Sequence, residues 1–249
     1  MTIRDYLQQF YYTFDRNLTP AVRWLILANV VVFLIENLVF VPFAIDDVFL
    51  GLFAQNPIVR FGESEYGGID VIINWFCALQ FVSYMFLHGN FWHLFWNMLA
   101  LWFFGPPLEV LWGRRAFLKF YLFTGFTAGA LHGMIAPFLI GQEYYMIGAS
   151  GAIFGVLLAF AIYYPQQQVL VWFVLPMSSR YFVLLIGILT LASLLTSGGS
   201  PVSHWTHLAG LGFGYAWIRL RNLFPRVWLF NDSPGLSWRG YRYRDTSDR

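Results

Sequence analysis

Two strings in this chain hold the residue types that covalent chemistry needs: Gly148-Ala149-Ser150-Gly151, and His207-Leu208-Ala209-Gly210 with Gly214 beyond it. A serine hydroxyl is a weak nucleophile, so an imidazole must take its proton during attack on a carbonyl and then return that proton to the leaving amine. Ser150 and His207 fit those two roles in an acyl transfer. The oxyanion that forms needs donors already in place, each contributing about 3 to 4 kcal/mol. His93, Asn97 and the backbone N–H of Ser150 are the candidates. With no carboxylate ready to orient His207, a two-residue dyad is expected, and Phe154, one turn below Ser150 on the same face, is placed to stack on the imidazole.

The elements that must carry these groups are membrane spans. The 249 residues are 58% hydrophobic and 21% aromatic, with 11% Asp, Glu, Lys and Arg, where a soluble domain carries about a quarter charged residues. That balance excludes a soluble globular enzyme, and without a Gly-X-Y or heptad repeat the chain is neither collagen nor coiled coil. Apolar runs of about 20 residues, the length needed to cross roughly 30 Å of hydrocarbon, recur along it. The expected fold is all-α, a polytopic membrane protein with six transmembrane helices. These run from about Trp24 to Ile45, Phe81 to Phe104, Ala116 to Ile140, Met146 to Tyr164, Tyr181 to Leu195 and His204 to Ile218. Val169 to Leu175 is apolar but too short to cross and ends at Pro176, so it reads as an interfacial segment between the fourth and fifth spans.

Lys and Arg are held on the cytoplasmic side during insertion. With the N-terminus inside, all of the 15 basic residues except Arg60 fall inside, while the outer connection carries Asp46, Asp47, Glu63, Glu65 and Asp70. The organisation expected is a short cytoplasmic N-terminus at 1–23, a membrane domain at 24–220 and a basic cytoplasmic tail at 221–249. Residues 1–23 lack the apolar core of a secretory signal, so the first span is expected to remain as an anchor, and a bacterial inner membrane is the expected location.

This topology puts His93, Ser150 and His207 near the outer ends of spans two, four and six, which run in one direction. His93 and Asn97 share a helical face, as do His207, Gly210 and Gly214. The glycines, with Gly148, Gly151 and Gly155 on span four, would let two spans approach closely enough for a hydrogen bond. His204, one turn before His207, belongs to the same outer end, and His132 and Glu36 read as packing residues. A net charge of +2 with scattered Arg excludes a nucleic-acid partner. Cys77 is the one cysteine, which excludes an intrachain disulfide, a cysteine zinc site and an Fe–S cluster. The chain also lacks His-Glu-x-x-His, a facing pair of Asp residues and the internal repeat of a transporter. Ala152 stands where a lipase elbow needs its last glycine. Neither metal nor cofactor is expected.

Together these residues resemble the rhomboid family of intramembrane serine proteases. The resemblance is carried by His88, His93 and Asn97 in His88-Gly89-Asn90-Phe91-Trp92-His93-Leu94-Phe95-Trp96-Asn97, by Gly148-Ala149-Ser150-Gly151, and by His207-Leu208-Ala209-Gly210 with Gly214. It covers about Phe81 to Leu220. It implies a six-helix core with Ser150 as nucleophile, His207 as base, His93 and Asn97 lining the oxyanion hole, and His88 supporting the first outer loop. The expected partners are the lipid bilayer and transmembrane protein substrates, cut in or near their spans. A catalytically inactive member that binds membrane-protein clients is the alternative. Two positions depart from the family pattern: Leu79 and Gln80 replace a Trp-Arg pair that anchors the outer loop, and Phe154 replaces a Tyr.

Overall fold

The computed structural model describes residues 18–54, 59–63, 69–73, 77–139, 146–171, 174–196 and 202–223. The N-terminal segment up to residue 17 and the tail beyond 223 lie outside these. In chain order the elements are α1 (Pro20–Ile35, continued by a π turn Glu36–Phe40), α2 (Asp46–Phe53), β1 (Val59–Glu63), β2 (Ile69–Ile73), α3 (Cys77–Ser83), α4 (Phe91–Trp112), α5 (Arg114–Leu139), α6 (Ser150–Tyr163), β3 (Gln168–Val171), β4 (Leu175–Ser178), α7 (Ser179–Thr196) and α8 (Val202–Leu223). Pro20-to-Phe40, α4 and α7 are long and apolar enough to cross a membrane. α6 is apolar but has 14 residues, about 21 Å at 1.5 Å per residue.

α6 sits at the centre, packed most extensively on α8 and also on α5, α4 and α7. Both of its faces are buried: Gly151, Ala152, Ile153, Gly155, Val156, Leu157, Ala159 and Phe160 all lie inside. A helix surrounded on all sides needs small residues where neighbours come closest, and Gly155 shows this, since a Cβ there would meet Thr124 Cγ2 of α5 at 2.9 Å.

One end of the bundle is tied together by polar contacts between distant elements. The buried Glu109 carboxylate, near the end of α4, accepts from the backbone N–H of Ala21 at 2.8 Å and of Val22 at 3.0 Å. These are among the N–H groups that a helix start leaves without an intrahelical acceptor, so Glu109 caps α1 from another helix. The Tyr164 hydroxyl donates to the Pro107 carbonyl at 3.2 Å, and the Arg221 guanidinium lies 5.6 Å from the centre of the Trp112 ring. The start of α1 and the ends of α4, α6 and α8 therefore lie together. Glu109→Ala should lower unfolding stability by about 1 to 2 kcal/mol, the cost of a lost cap, read as a fall in thermal midpoint in detergent.

Three expectations need correction. The fold is mostly helical but not all-α: β1 pairs antiparallel with β2, and β3 with β4 in the register Val169↔Met177 and Val171↔Leu175. The β3–β4 hairpin occupies the stretch read as an interfacial segment. Span two was expected from Phe81 to Phe104, but α3 ends at Ser83, a 3-10 turn follows at Tyr84–Phe86, and the next α-helix starts at Phe91, because the Asn90 side-chain oxygen accepts from the His93 N–H at 2.9 Å and caps it there. That helix then runs through Pro106 and Pro107 and stops at Gly113, whose φ of 81° suits glycine. Finally, α2 is anchored to α3 without the Trp-Arg pair. The buried Gln80 amide donates to the carbonyls of Gly51 at 2.9 Å and Leu52 at 3.4 Å, and the Ser83 hydroxyl to that of Phe53 at 2.6 Å. Side chains of α3 thus satisfy carbonyls at the end of α2.

Candidate active site

The capped start of α4 leaves His93 in its first turn, with its ring edge-on to that of His88 at 5.0 Å between centroids. On its other side His93 meets Gly148, where an added Cβ would stand 2.7 Å from ring atoms Cε1 and Nε2. Gly148 has φ of 117° and donates its N–H to the Tyr84 carbonyl at 2.9 Å. Position 148 is thus glycine for two reasons: its backbone conformation is strained for any L side chain, and His93 fills the space.

This turn delivers Ser150 as the first residue of α6. The N–H groups of the first helical turn have no acceptor within the helix, and they form its positive end. A region that favours negative charge therefore surrounds the Ser150 hydroxyl before any partner is counted.

α8 approaches this point on glycine. A Cβ at Gly210 would run into the Gly151 carbonyl oxygen and stand 3.3 Å from Phe154 Cβ, and one at Gly214 would lie 3.0 Å from Gly155 Cα. The close approach brings His207 Nε2 to 2.8 Å from Ser150 Oγ. The Phe154 ring stacks on the His207 imidazole at 4.2 Å and 6°, and His204 stands edge-on to it at 6.5 Å and 77°. Ser150, His207, His204 and His93 are all partly exposed, so the pair is reachable from the surface.

Ser150, His207, Phe154, His93 and Gly148 are brought together directly. His88 is buried and touches the group through His93. Asn97 is buried one turn below His93, and one N–H of its amide donates to the His93 carbonyl at 2.8 Å. It meets the group through His93 and not directly.

Two contributors were missed. The fully buried Tyr84 holds Gly148 through its carbonyl, while its hydroxyl donates to the Gly125 carbonyl at 2.8 Å. Thr206 donates its hydroxyl to Met146 Sδ at 2.8 Å, tying α8 to the segment just before α6, and its methyl would lie 3.1 Å from a Cβ at Gly151. Tyr84 was one aromatic among many; Thr206, directly before His207, was the more findable of the two.

A model of the Rhomboid domain matches residues 77–222. The chain is similar to Rhomboid protein 1, mitochondrial, of Saccharomyces cerevisiae, 33% identical over 152 residues that make up 56% of this chain and 41% of that protein. It is similar to Rhomboid protease GluP of Bacillus subtilis, 38% identical over 100 residues, 40% of this chain and 18% of that protein. Rhomboid-like protein 11, chloroplastic, of Arabidopsis thaliana is 29% identical over 168 residues, 61% of this chain and 56% of that protein. The chain therefore spans less than two thirds of the length of each of these relatives. Two of these names give a mitochondrial and a chloroplastic location and the third protein is bacterial, so the expected bacterial inner membrane receives no support from them; the domain match and the apolar helices support integral membrane residence. With that match over 77–222, the chain belongs to the rhomboid family.

Proposed function

We propose that this protein is an intramembrane serine endopeptidase that hydrolyses peptide bonds of membrane proteins in or near their transmembrane segments. One observation carries the reading: a serine hydroxyl and an imidazole nitrogen 2.8 Å apart, on two helices whose contact is made of glycine. With Nε2 unprotonated, the Ser150 hydroxyl donates to it. As Oγ bonds to the substrate carbonyl carbon, its proton passes to Nε2 and the carbonyl oxygen takes the negative charge. That oxygen would be met by the free N–H groups of the α6 start, by His93 and by the Asn97 amide. Collapse of the tetrahedral species breaks the C–N bond, and the amine leaves with the proton from Nε2. Water then repeats the sequence on the ester: it gives its proton to Nε2, and Oγ takes it back as the acid product departs.

Phe154 takes over part of the orienting role that a carboxylate has in a triad. A ring stacked within 6° of the imidazole plane fixes the tilt of His207 and leaves rotation in that plane to be set by Ser150. We read α1, α4, α5, α6, α7 and α8 as six spans, with the basic end inside. Ser150 and His207 are both partly exposed, which leaves the pair within the bundle yet open to entering water. No metal or cofactor is needed for any step.

The test is labelling with a fluorophosphonate probe in detergent. The expected result is a single adduct on Ser150 that disappears in His207→Ala. An adduct elsewhere, or one indifferent to His207, overturns the assignment.

A further inference from the structure

The β3–β4 hairpin does nothing for the site described above, yet it is built unlike an ordinary loop. From Val169 to Met177 it has no charged residue. Its strands pair antiparallel, Val169 facing Met177 and Val171 facing Leu175. Its base is fixed: the Ser179 hydroxyl donates to the Tyr164 carbonyl at 2.5 Å, and the Ser179 N–H to the Gln167 carbonyl at 2.8 Å. Val169 packs on the core, but Val174 at the turn is 81% exposed and Leu175 57%. An uncharged hairpin with bare apolar residues beside its turn is a poor fit to water, where its edges would invite pairing with other chains.

Nor can it lie deep in hydrocarbon, because its outer edges still carry backbone N–H and C=O groups that need partners. The surroundings point to the layer between. α7 continues directly from the hairpin and turns Leu184, Ile188 and Leu195 outward. At the junction Arg180 is exposed and its guanidinium lies 4.7 Å from the centre of the exposed Tyr181 ring. A tyrosine with an arginine over it is the residue pair expected where acyl chains meet headgroups. Arg114, Arg115 and Lys119, at the start of α5, add positive charge at the same end of the bundle.

We propose that the β3–β4 hairpin is seated in the phospholipid headgroup layer at the end opposite Ser150, with Val174 and Leu175 against the upper acyl chains and Arg180 on an anionic headgroup phosphate. The hairpin then fixes the lower end of α7 at a set depth. This rests on the membrane reading of the fold but not on proteolysis.

The test places the photo-crosslinking residue benzoylphenylalanine at position 174, or at 188 on the outward face of α7, in full-length protein. The protein is reconstituted into vesicles of equal phosphatidylethanolamine and phosphatidylglycerol, and adducts are read by mass. The expected result is a one-to-one phospholipid adduct at both positions. Arg180→Gln should lower the phosphatidylglycerol share at 174 roughly fivefold and leave the share at 188 unchanged. A lipid adduct at 188 with none at 174, or a cross-link from 174 to a second copy of the chain, overturns the seating. An unchanged phosphatidylglycerol share overturns the headgroup contact while the seating stands. Failure at both positions removes the membrane reading itself and the proposal with it. None of these results depends on whether the protein cleaves a substrate.

Discussion

Ser150→Ala should abolish cleavage of a membrane-protein substrate, a loss of about 10⁴-fold or more, while the protein stays folded. The size follows from what the hydroxyl does: without it no ester forms, and what survives is the small acceleration that binding and oxyanion donors give to direct attack by water. Folding should hardly change. The hydroxyl contributes one part-buried hydrogen bond, a net effect of about 1 kcal/mol, and alanine suits a helix start hemmed in by small residues. His207→Ala should fall to a similar floor, and the double variant should be no worse than either single one, because two groups that act as a unit cannot be lost twice. Turnover of a fluorogenic transmembrane substrate in proteoliposomes, measured beside thermal unfolding of each variant, reads all of this. An inactive client-binding protein predicts a different outcome: no turnover in the unsubstituted chain, and client binding indifferent to Ser150→Ala. Undiminished cleavage in that variant would remove Ser150 from the mechanism altogether.

What the residues announced and what they concealed divide along a physical line. A hydroxyl, several imidazoles and closely spaced glycines stand out in an apolar chain, since each polar group inside a span costs free energy unless it has a partner or a purpose. His93, Ser150 and His207 were legible for that reason, as was the common face of Gly210 and Gly214. Contacts made by backbone atoms were not. Tyr84 matters to the site through its carbonyl, held by the Gly148 N–H, and nothing in a side chain advertises that. The role of Glu109 was hidden because its partners Ala21 and Val22 lie 88 and 87 residues away. The helix boundaries around span two went wrong through local rules. Span two was expected to end at Phe104, yet the helix continues through Pro106 and Pro107 to Trp112, in a bundle where the Tyr164 hydroxyl serves the Pro107 carbonyl. Gln80 looked like a lost anchor, yet an amide can donate to a helix-end carbonyl much as a guanidinium would.

Gly210→Ala should be the most damaging single-methyl change in the bundle, cutting turnover about 100-fold or more. Its Cβ would drive into the Gly151 carbonyl oxygen, and a backbone atom in the middle of a packed helix has no rotamer to escape into. The helices must part instead. Overpacking of this kind costs about 1 to 3 kcal/mol, but the larger effect falls on chemistry. Gly151 follows Ser150 directly, and His207 is one turn before Gly210, so the displacement acts on the 2.8 Å contact between hydroxyl and imidazole. Misplacement of reacting groups by about 1 Å is enough for a 100-fold loss. Two neighbouring glycines supply the controls. At Gly214 the added carbon would lie 3.0 Å from Gly155 Cα, a tight fit that a small shift relieves two turns from the dyad, so Gly214→Ala should cost less than tenfold. At Gly212 nothing stands within 4 Å, and alanine there should leave turnover intact and raise the thermal midpoint slightly, as expected for a better helix former. The order of loss, Gly210 far above Gly214 and Gly214 above Gly212, is set by the distance of each glycine from the facing backbone. Equal effects at all three positions would mean that general helix destabilisation governs activity. Full activity in Gly210→Ala would mean that α6 and α8 do not meet this closely in the working enzyme.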